Sequence, residues 1–187
     1  FVAVHGLGQI PANWDNTIEN IKHLDNICCP NLCEMLKGKD ITYSALYSSF
    51  AEYCNRFDEP INFCGLSLGG VLALNYAIEN PMKVNSLVLI AAQYKMPKGL
   101  LKVQNFIFRF MPPKMFDETG FSKKDFITLS KTMMDIDFSN TLDSISCQVL
   151  LLCGEKDKAN RKASEKLSSI LKDTSFKIIE NASHEVN

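Results

Sequence analysis

The sequence predicts an α/β protein built on a parallel sheet, and three observations predict it. Short apolar runs recur along the whole chain, segments with apolar residues every three or four positions separate them, and Gly or Pro stands at most of the junctions. Strands that recur through helical crossovers pair in parallel and are covered on both faces. Size and composition agree. The 187 residues, 46% hydrophobic and 22% charged, suit one domain with a sizeable core, and no internal repeat or low-complexity tract interrupts them.

Residues 1–5 form a Val-rich strand that runs into Gly6-Leu7-Gly8, and residues 13–24 then carry Trp14, Ile18, Ile21 and Leu24 at helical spacing. A second strand is expected over 26–32, a second helix over 41–57, a third strand over 61–64, and a third helix over 69–79 that stops at Asn80-Pro81. Residues 86–92 make the fourth strand. Residues 147–153 and 176–179 make the last two, with a Lys- and Ser-rich helix over 161–171 between them.

Residues 95–143 break this rhythm, with two helix-like pieces, 100–110 and 122–134, on either side of Met111-Pro112-Pro113. They read as an inserted helical cap, which divides the chain into core 1–94, cap 95–143 and core 144–187. The cap is unusually apolar. Its Phe106, Ile107, Phe108, Phe110, Met111, Met115 and Phe116 either line a pocket for an acyl chain or seal the cap onto the core.

Charge and cysteine content exclude several classes. Lys plus Arg is 20 and Asp plus Glu is 21, for a net charge of −1, so no electrostatic footprint points to nucleic acid or to a membrane. No run approaches the roughly 18 apolar residues of a membrane span, and residues 1–4 lack the length and basic flank of a signal peptide. A cytoplasmic protein is expected. Seven cysteines suit reduced thiols better than a disulfide framework. His23, Cys28, Cys29 and Cys33 lack the paired C-x-x-C knuckles of a zinc site, so no metal is expected.

The chemistry centres on Gly65-Leu66-Ser67-Leu68-Gly69, which fits G-x-S-x-G between an apolar strand and a helix. A hydroxyl can be held at the tip of so sharp a turn only if its neighbours tolerate backbone crowding, which Gly65, Gly69 and Gly70 do. Ser67 is the candidate nucleophile, although the same pattern also occurs as a plain turn. It needs a base, and the base needs an orienting acid. Asp157, where an apolar strand meets a Gly turn, and His184, past the last strand, both follow carboxyl ends of strands, the edge where sites assemble in parallel sheets. The chain order Ser, Asp, His is that of one known triad arrangement.

Rivals exist. His5 ends a strand, but its place before Gly6-Leu7-Gly8 suits a brace for that turn. His23 lies at the polar end of a helix, Glu155 points to solvent, and Asp143 is an acid near the same edge. Backbone N–H groups of Leu68, after the nucleophile, and Leu7, in the first loop, are the candidate oxyanion donors, with Gly6 and Gly8 admitting close approach. The first loop also starts like a dinucleotide fingerprint. That pattern fails at Pro11, no acid ends the second strand, and no Lys follows the glycines as in a P-loop.

His5-Gly6-Leu7-Gly8 with Trp14 downstream, Gly65-Leu66-Ser67-Leu68-Gly69-Gly70, Gly154-Glu155-Lys156-Asp157 and Ser183-His184 together resemble the α/β-hydrolase superfamily, in particular its small carboxylesterase-like members. The resemblance covers nearly the whole chain. It implies a parallel sheet flanked by helices with a small helical cap, a triad of Ser67, Asp157 and His184, and oxyanion donors at Leu7 and Leu68, with no cofactor. The family usually has a β-hairpin ahead of the first strand here and a closing helix after the base, so a trimmed or partial chain is expected. Ser183 stands where the family more often has Gly. Without the hairpin, the segment from Ile27 to Leu32 is expected to be a bare sheet edge open to self-association. The expected activity is hydrolysis of a small-molecule carboxylic ester through an acyl-enzyme. Its alternatives are a thioesterase, an acyltransferase, or a non-catalytic binding protein on the same fold.

Overall fold

The computed structural model of the chain describes residues 1–21, 26–117 and 119–187. Five strands, β1 (Val2–Val4), β2 (Ile61–Leu66), β3 (Val84–Ile90), β4 (Gln148–Gly154) and β5 (Thr174–Ile179), lie side by side in that order. Every pairing is parallel. Side chains alternate across a strand, and here the alternation divides two cores. Val4, Phe63, Leu87, Leu89, Val149 and Leu151 face the larger one, while Ala3, Leu66 and Ile90 face a smaller one around Trp14.

Helices α3 (Tyr43–Cys54) and α4 (Leu68–Glu79) cover the larger core, where the rings of Phe50, Phe63 and Tyr76 pack edge to face or tilted. Residues 68–77 of α4 are all buried, which is why this stretch is apolar all round rather than striped. Polar side chains set the helix starts. Thr42 accepts from the Ala45 amide at α3, Asn31 from Cys33 and Glu34 at α2 (Leu32–Met35), and Ser122 exchanges bonds with Asp125 at α7 (Lys123–Thr132).

The expected second strand over 26–32 is a correction. Only Cys28 pairs, in one parallel bridge to Val2 made by its N–H to Phe1 O and by the Ala3 N–H to Cys28 O, both 2.9 Å. Pro30 has no N–H to donate, and Asn31 turns its side chain to cap α2. The edge from Ile27 to Leu32 is therefore one bridge long. These bonds use the side of β1 opposite β2, so the chain leaves β1 in one direction and returns past it to β2, a reversal of the kind that opens a crevice at the strands' carboxyl ends.

The expected helix over 13–24 is also shorter. A 3-10 turn (Pro11–Trp14) leads into α1 (Asp15–Asn20), with Trp14 buried and Ile21 exposed; the parts of that reading at His23 and Leu24 fall outside the described residues. Between β3 and β4 the described residues form α5 (Lys98–Phe110), α6 (Lys114–Asp117), α7 and a short 3-10 turn at Leu142–Ser144, with one antiparallel bridge between Lys95 and Asp137. Phe116, Phe121 and Phe126 are buried here and stack edge to face with Phe108 or one another. Phe106, Phe110 and Met115 are 60%, 75% and 60% exposed, and they belong neither to the packed cores nor to the walls of the cavity that holds Ser67. Among the described residues, no helix is long and apolar enough to cross a membrane.

Candidate active site

The sharpest local feature is the turn from β2 into α4. Ser67 has φ +51° and ψ −113°, a conformation that side-chain-bearing residues rarely adopt and that persists only where the surroundings over-determine it. They do so here. The Ser67 N–H is tied to Ile90 O at 2.8 Å, and its C=O accepts from Val71 at 3.0 Å. A β-carbon at Gly65 would lie 2.6 Å from backbone atoms of Gly69 and Gly70, so only glycine lets strand and helix meet this closely. The hydroxyl is not spent as a helix cap. It remains available at the turn's tip, half-exposed.

Asp157 follows β4 and caps α8 (Lys158–Ile170), accepting from the Asn160 N–H at 3.2 Å. The turn that holds it is stitched to the one after β5 by Glu155 N–H to Ile179 O and Lys156 N–H to Ala182 O, both 2.9 Å. Glu155 is exposed, as the sequence suggests, and its carboxylate also accepts from the Asn181 N–H at 2.9 Å. Gly154 passes against the carbonyls of Ala182 and Ser183 with no room for a β-carbon. The stitching delivers His184 to Asp157, with Nδ1 2.6 Å from Oδ2. A bond that short fits a charge-assisted contact.

Burial alone would raise the Asp157 carboxyl, but the hydrogen bonds from His184 and Asn160 outweigh it and hold the group below its ordinary value. The acid is thus ionised and can only accept, so His184 Nδ1 is the donor of this bond. Ser67, Asp157 and His184 line one cavity of about 520 Å³, a volume usual for small-molecule sites, together with Leu7 and Leu68. The side chains of Ser67 and His184 share this cavity without a hydrogen bond between them. The amides of Leu7 and Leu68 have no acceptor among the described residues.

His5 is a brace. It is buried, receives the Leu32 N–H at Nε2 (3.2 Å) and lies 2.9 Å from Gly6 O through Nδ1, so both ring nitrogens are occupied, and burial lowers its pKa despite the Gly6 bond. Asp143 sits in the 3-10 turn ahead of β4, at the opposite end of that strand from Asp157, which corrects its placement at the reactive edge. Cys153, whose Sγ is 3.6 Å from Asp157 O, is pushed up to about 11 by burial and by the Asp157 charge, and so remains an inert thiol. Among the described residues, no three His, Cys, Asp or Glu side chains gather as a metal site requires.

Sequence reading missed three residues. Asn160 touches both Asp157 oxygens, Gln93 bonds Asn160, and buried Gln9 accepts the Gly6 N–H at 3.3 Å while pairing with Asn187. Amide side chains carry no periodic signal. Only the Asp-x-x-Asn spacing across a helix start hinted at one of them.

No protein-family model matches the sequence, and no curated protein matches it by sequence. Solved structures match it closely in shape. A carboxylesterase of Nitrososphaera gargenis superposes with a TM-score of 0.82 at 17% identity, covering 98% of this chain and 82% of its own. An esterase of Thermogutta terrifontis gives 0.73 at 16% identity, covering 98% and 81%. An α/β-hydrolase from a deep-sea metagenome library gives 0.77 at 16% identity, covering 98% and 82%. The chain therefore has the α/β-hydrolase fold.

Proposed function

We propose that the protein is a serine hydrolase that cleaves a carboxylic ester through an acyl-enzyme on Ser67. In this reading His184 Nε2 takes the Ser67 proton as the hydroxyl attacks the ester carbonyl. The tetrahedral oxyanion is met by the Leu7 and Leu68 amides, a contribution for which each lost donor typically costs about 10²–10³ in rate. His184 then protonates the leaving alcohol and activates water for deacylation, while Asp157 holds the imidazole tautomer and stabilises its charged form. No step calls for a cofactor.

The observation that carries the reading is the 2.6 Å bond between His184 and the buried Asp157, in one cavity with a serine on a strained turn. That solved structures similar in shape include a carboxylesterase and an esterase agrees with it. The cavity walls also include Leu101, Ile107, Phe108 and Met133, a surface for an uncharged apolar acyl group.

The test is labelling with a fluorophosphonate. Modification at Ser67, abolished by Ser67→Ala and strongly slowed by His184→Ala, is expected; a folded protein whose Ser67 stays unlabelled overturns the proposal.

A further inference from the structure

We infer that Asn160 is a positioning residue for the His184–Asp157 pair and that Gln93 fixes its orientation; the inference rests on the hydrolase reading above. Asn160 is in the first turn of α8. Its Nδ2 lies 2.8 Å from Asp157 Oδ2 and 3.0 Å from Oδ1, and its backbone N–H donates to Oδ1 at 3.2 Å. The same Nδ2 is 3.2 Å from His184 Nδ1. That ring nitrogen gives its own proton to Asp157, so the amide serves the carboxylate and only abuts the ring. Three residues past the end of β3, Gln93 Nε2 donates to Asn160 Oδ1 at 2.7 Å. With its oxygen held there, the amide can turn only its NH₂ toward the acid.

Two effects follow. Asn160 blocks rotation of the carboxylate, which keeps Oδ2 aimed at the imidazole, and its N–H groups withdraw charge from Asp157. Without the side chain the carboxylate would hold the His184 proton more tightly, so neutral base would appear only at higher pH. Cys153 of β4, against the Asp157 backbone, stays protonated and adds no charge, and Arg161, whose backbone N–H donates to Asp157 O at 3.1 Å, pairs its guanidinium with Glu165 at 2.9 Å. Hydrogen-bond partners of metal-ligating residues typically matter by about 10–100-fold, and an effect at the lower end of that range is expected for this amide.

The experiment follows hydrolysis of a short-chain acyl ester by pH-stat between pH 5 and 9 for Asn160→Ser, Asn160→Leu, Gln93→Leu and Gln93→Glu, with thermal melts as the folding check. Both Asn160 variants are expected to lower kcat about tenfold, to change KM less than about twofold, and to move the acid limb up by about half a pH unit. Gln93→Leu should do the same more weakly. Gln93→Glu should do it more strongly, because a carboxylate there draws the NH₂ away from Asp157. In an Asp157→Asn background, Asn160→Ser should change kcat less than about twofold, since residues acting through one partner are not additive. An unmoved acid limb in both Asn160 variants and both Gln93 variants, or an equal loss without Asp157, overturns the inference. If Ser67→Ala is inactive while these variants behave as wild type, only the positioning role fails; if Ser67→Ala still hydrolyses the ester, the hydrolase reading itself fails.

Discussion

Replacing Gly65 by Ala tests whether the site depends on the close meeting of β2 and α4. The added β-carbon would sit 2.6 Å from Gly69 C and O and from Gly70 N, where ordinary contact begins at 3.4 Å. The atoms in the way are backbone and cannot swing aside as a flexible side chain would. Strand and helix must part by about 0.8 Å, the difference of those two distances, at the turn that carries Ser67. Overpacking of this size typically destabilises by about 1–3 kcal/mol, and a misplacement near 1 Å can cost about 10²-fold in rate. Gly65→Ala should therefore melt several degrees lower and lose about two orders of magnitude in kcat on a short-chain ester. Gly6→Ala is the stability control, because its β-carbon would meet Leu66 and Ser67 at an ordinary 3.6 Å and should shift stability by less than about 0.5 kcal/mol. A Gly65→Ala protein with the melting temperature and kcat of wild type would refute the reasoning.

Three further outcomes are expected. His5 is held neutral, with a folded pKa below its unfolded value, so the stability it contributes is present above about pH 6.5 and is lost as pH falls below that value; melts from pH 7.5 to 5 should show this slope, and His5→Gln should flatten it. Asp157→Asn should lower kcat by about 10³–10⁴ by presenting the wrong partner to His184. It should also remove stability that wild type shows above the ordinary carboxylate range and loses as pH falls through the depressed Asp157 value, which melts from pH 7 to 3 would reveal. Phe106→Ser and Phe110→Ser should each change stability by less than about 0.5 kcal/mol because both rings are mostly in solvent, whereas Phe116→Ala should cost about 3 kcal/mol or more by opening a cavity; urea titrations distinguish the two cases.

Strand positions and the Ser67, Asp157 and His184 constellation were legible because their signals are local: an apolar run, a glycine-flanked turn, a polar residue just beyond a strand. β2, β3 and β4 lie within two residues of where periodicity puts them. The segment around Cys28 was misread because three apolar or thiol residues imitate a strand while Pro30 and Asn31 decide the outcome through a missing donor and a cap. Phe106 and Phe110 were misread because composition says how apolar a helix is but not which way it turns. Gln93 and Gln9 were invisible, and Asn160 was hinted at only by its spacing from Asp157, for a deeper reason: an amide's partners are mostly set by contacts that exist only once distant segments meet.

The stitching of the turn after β4 to the turn after β5 bears on how the protein is made. Ser67, Asp157 and His184 come from three stretches far apart in the chain, and the imidazole meets its acid where the turn after β5 is bonded to the turn after β4 and Gly154 lies against Ser183. On the proposed reading, turnover of an ester would register the docking of β5 beside β4, and a chain in which β5 had not docked would stay silent.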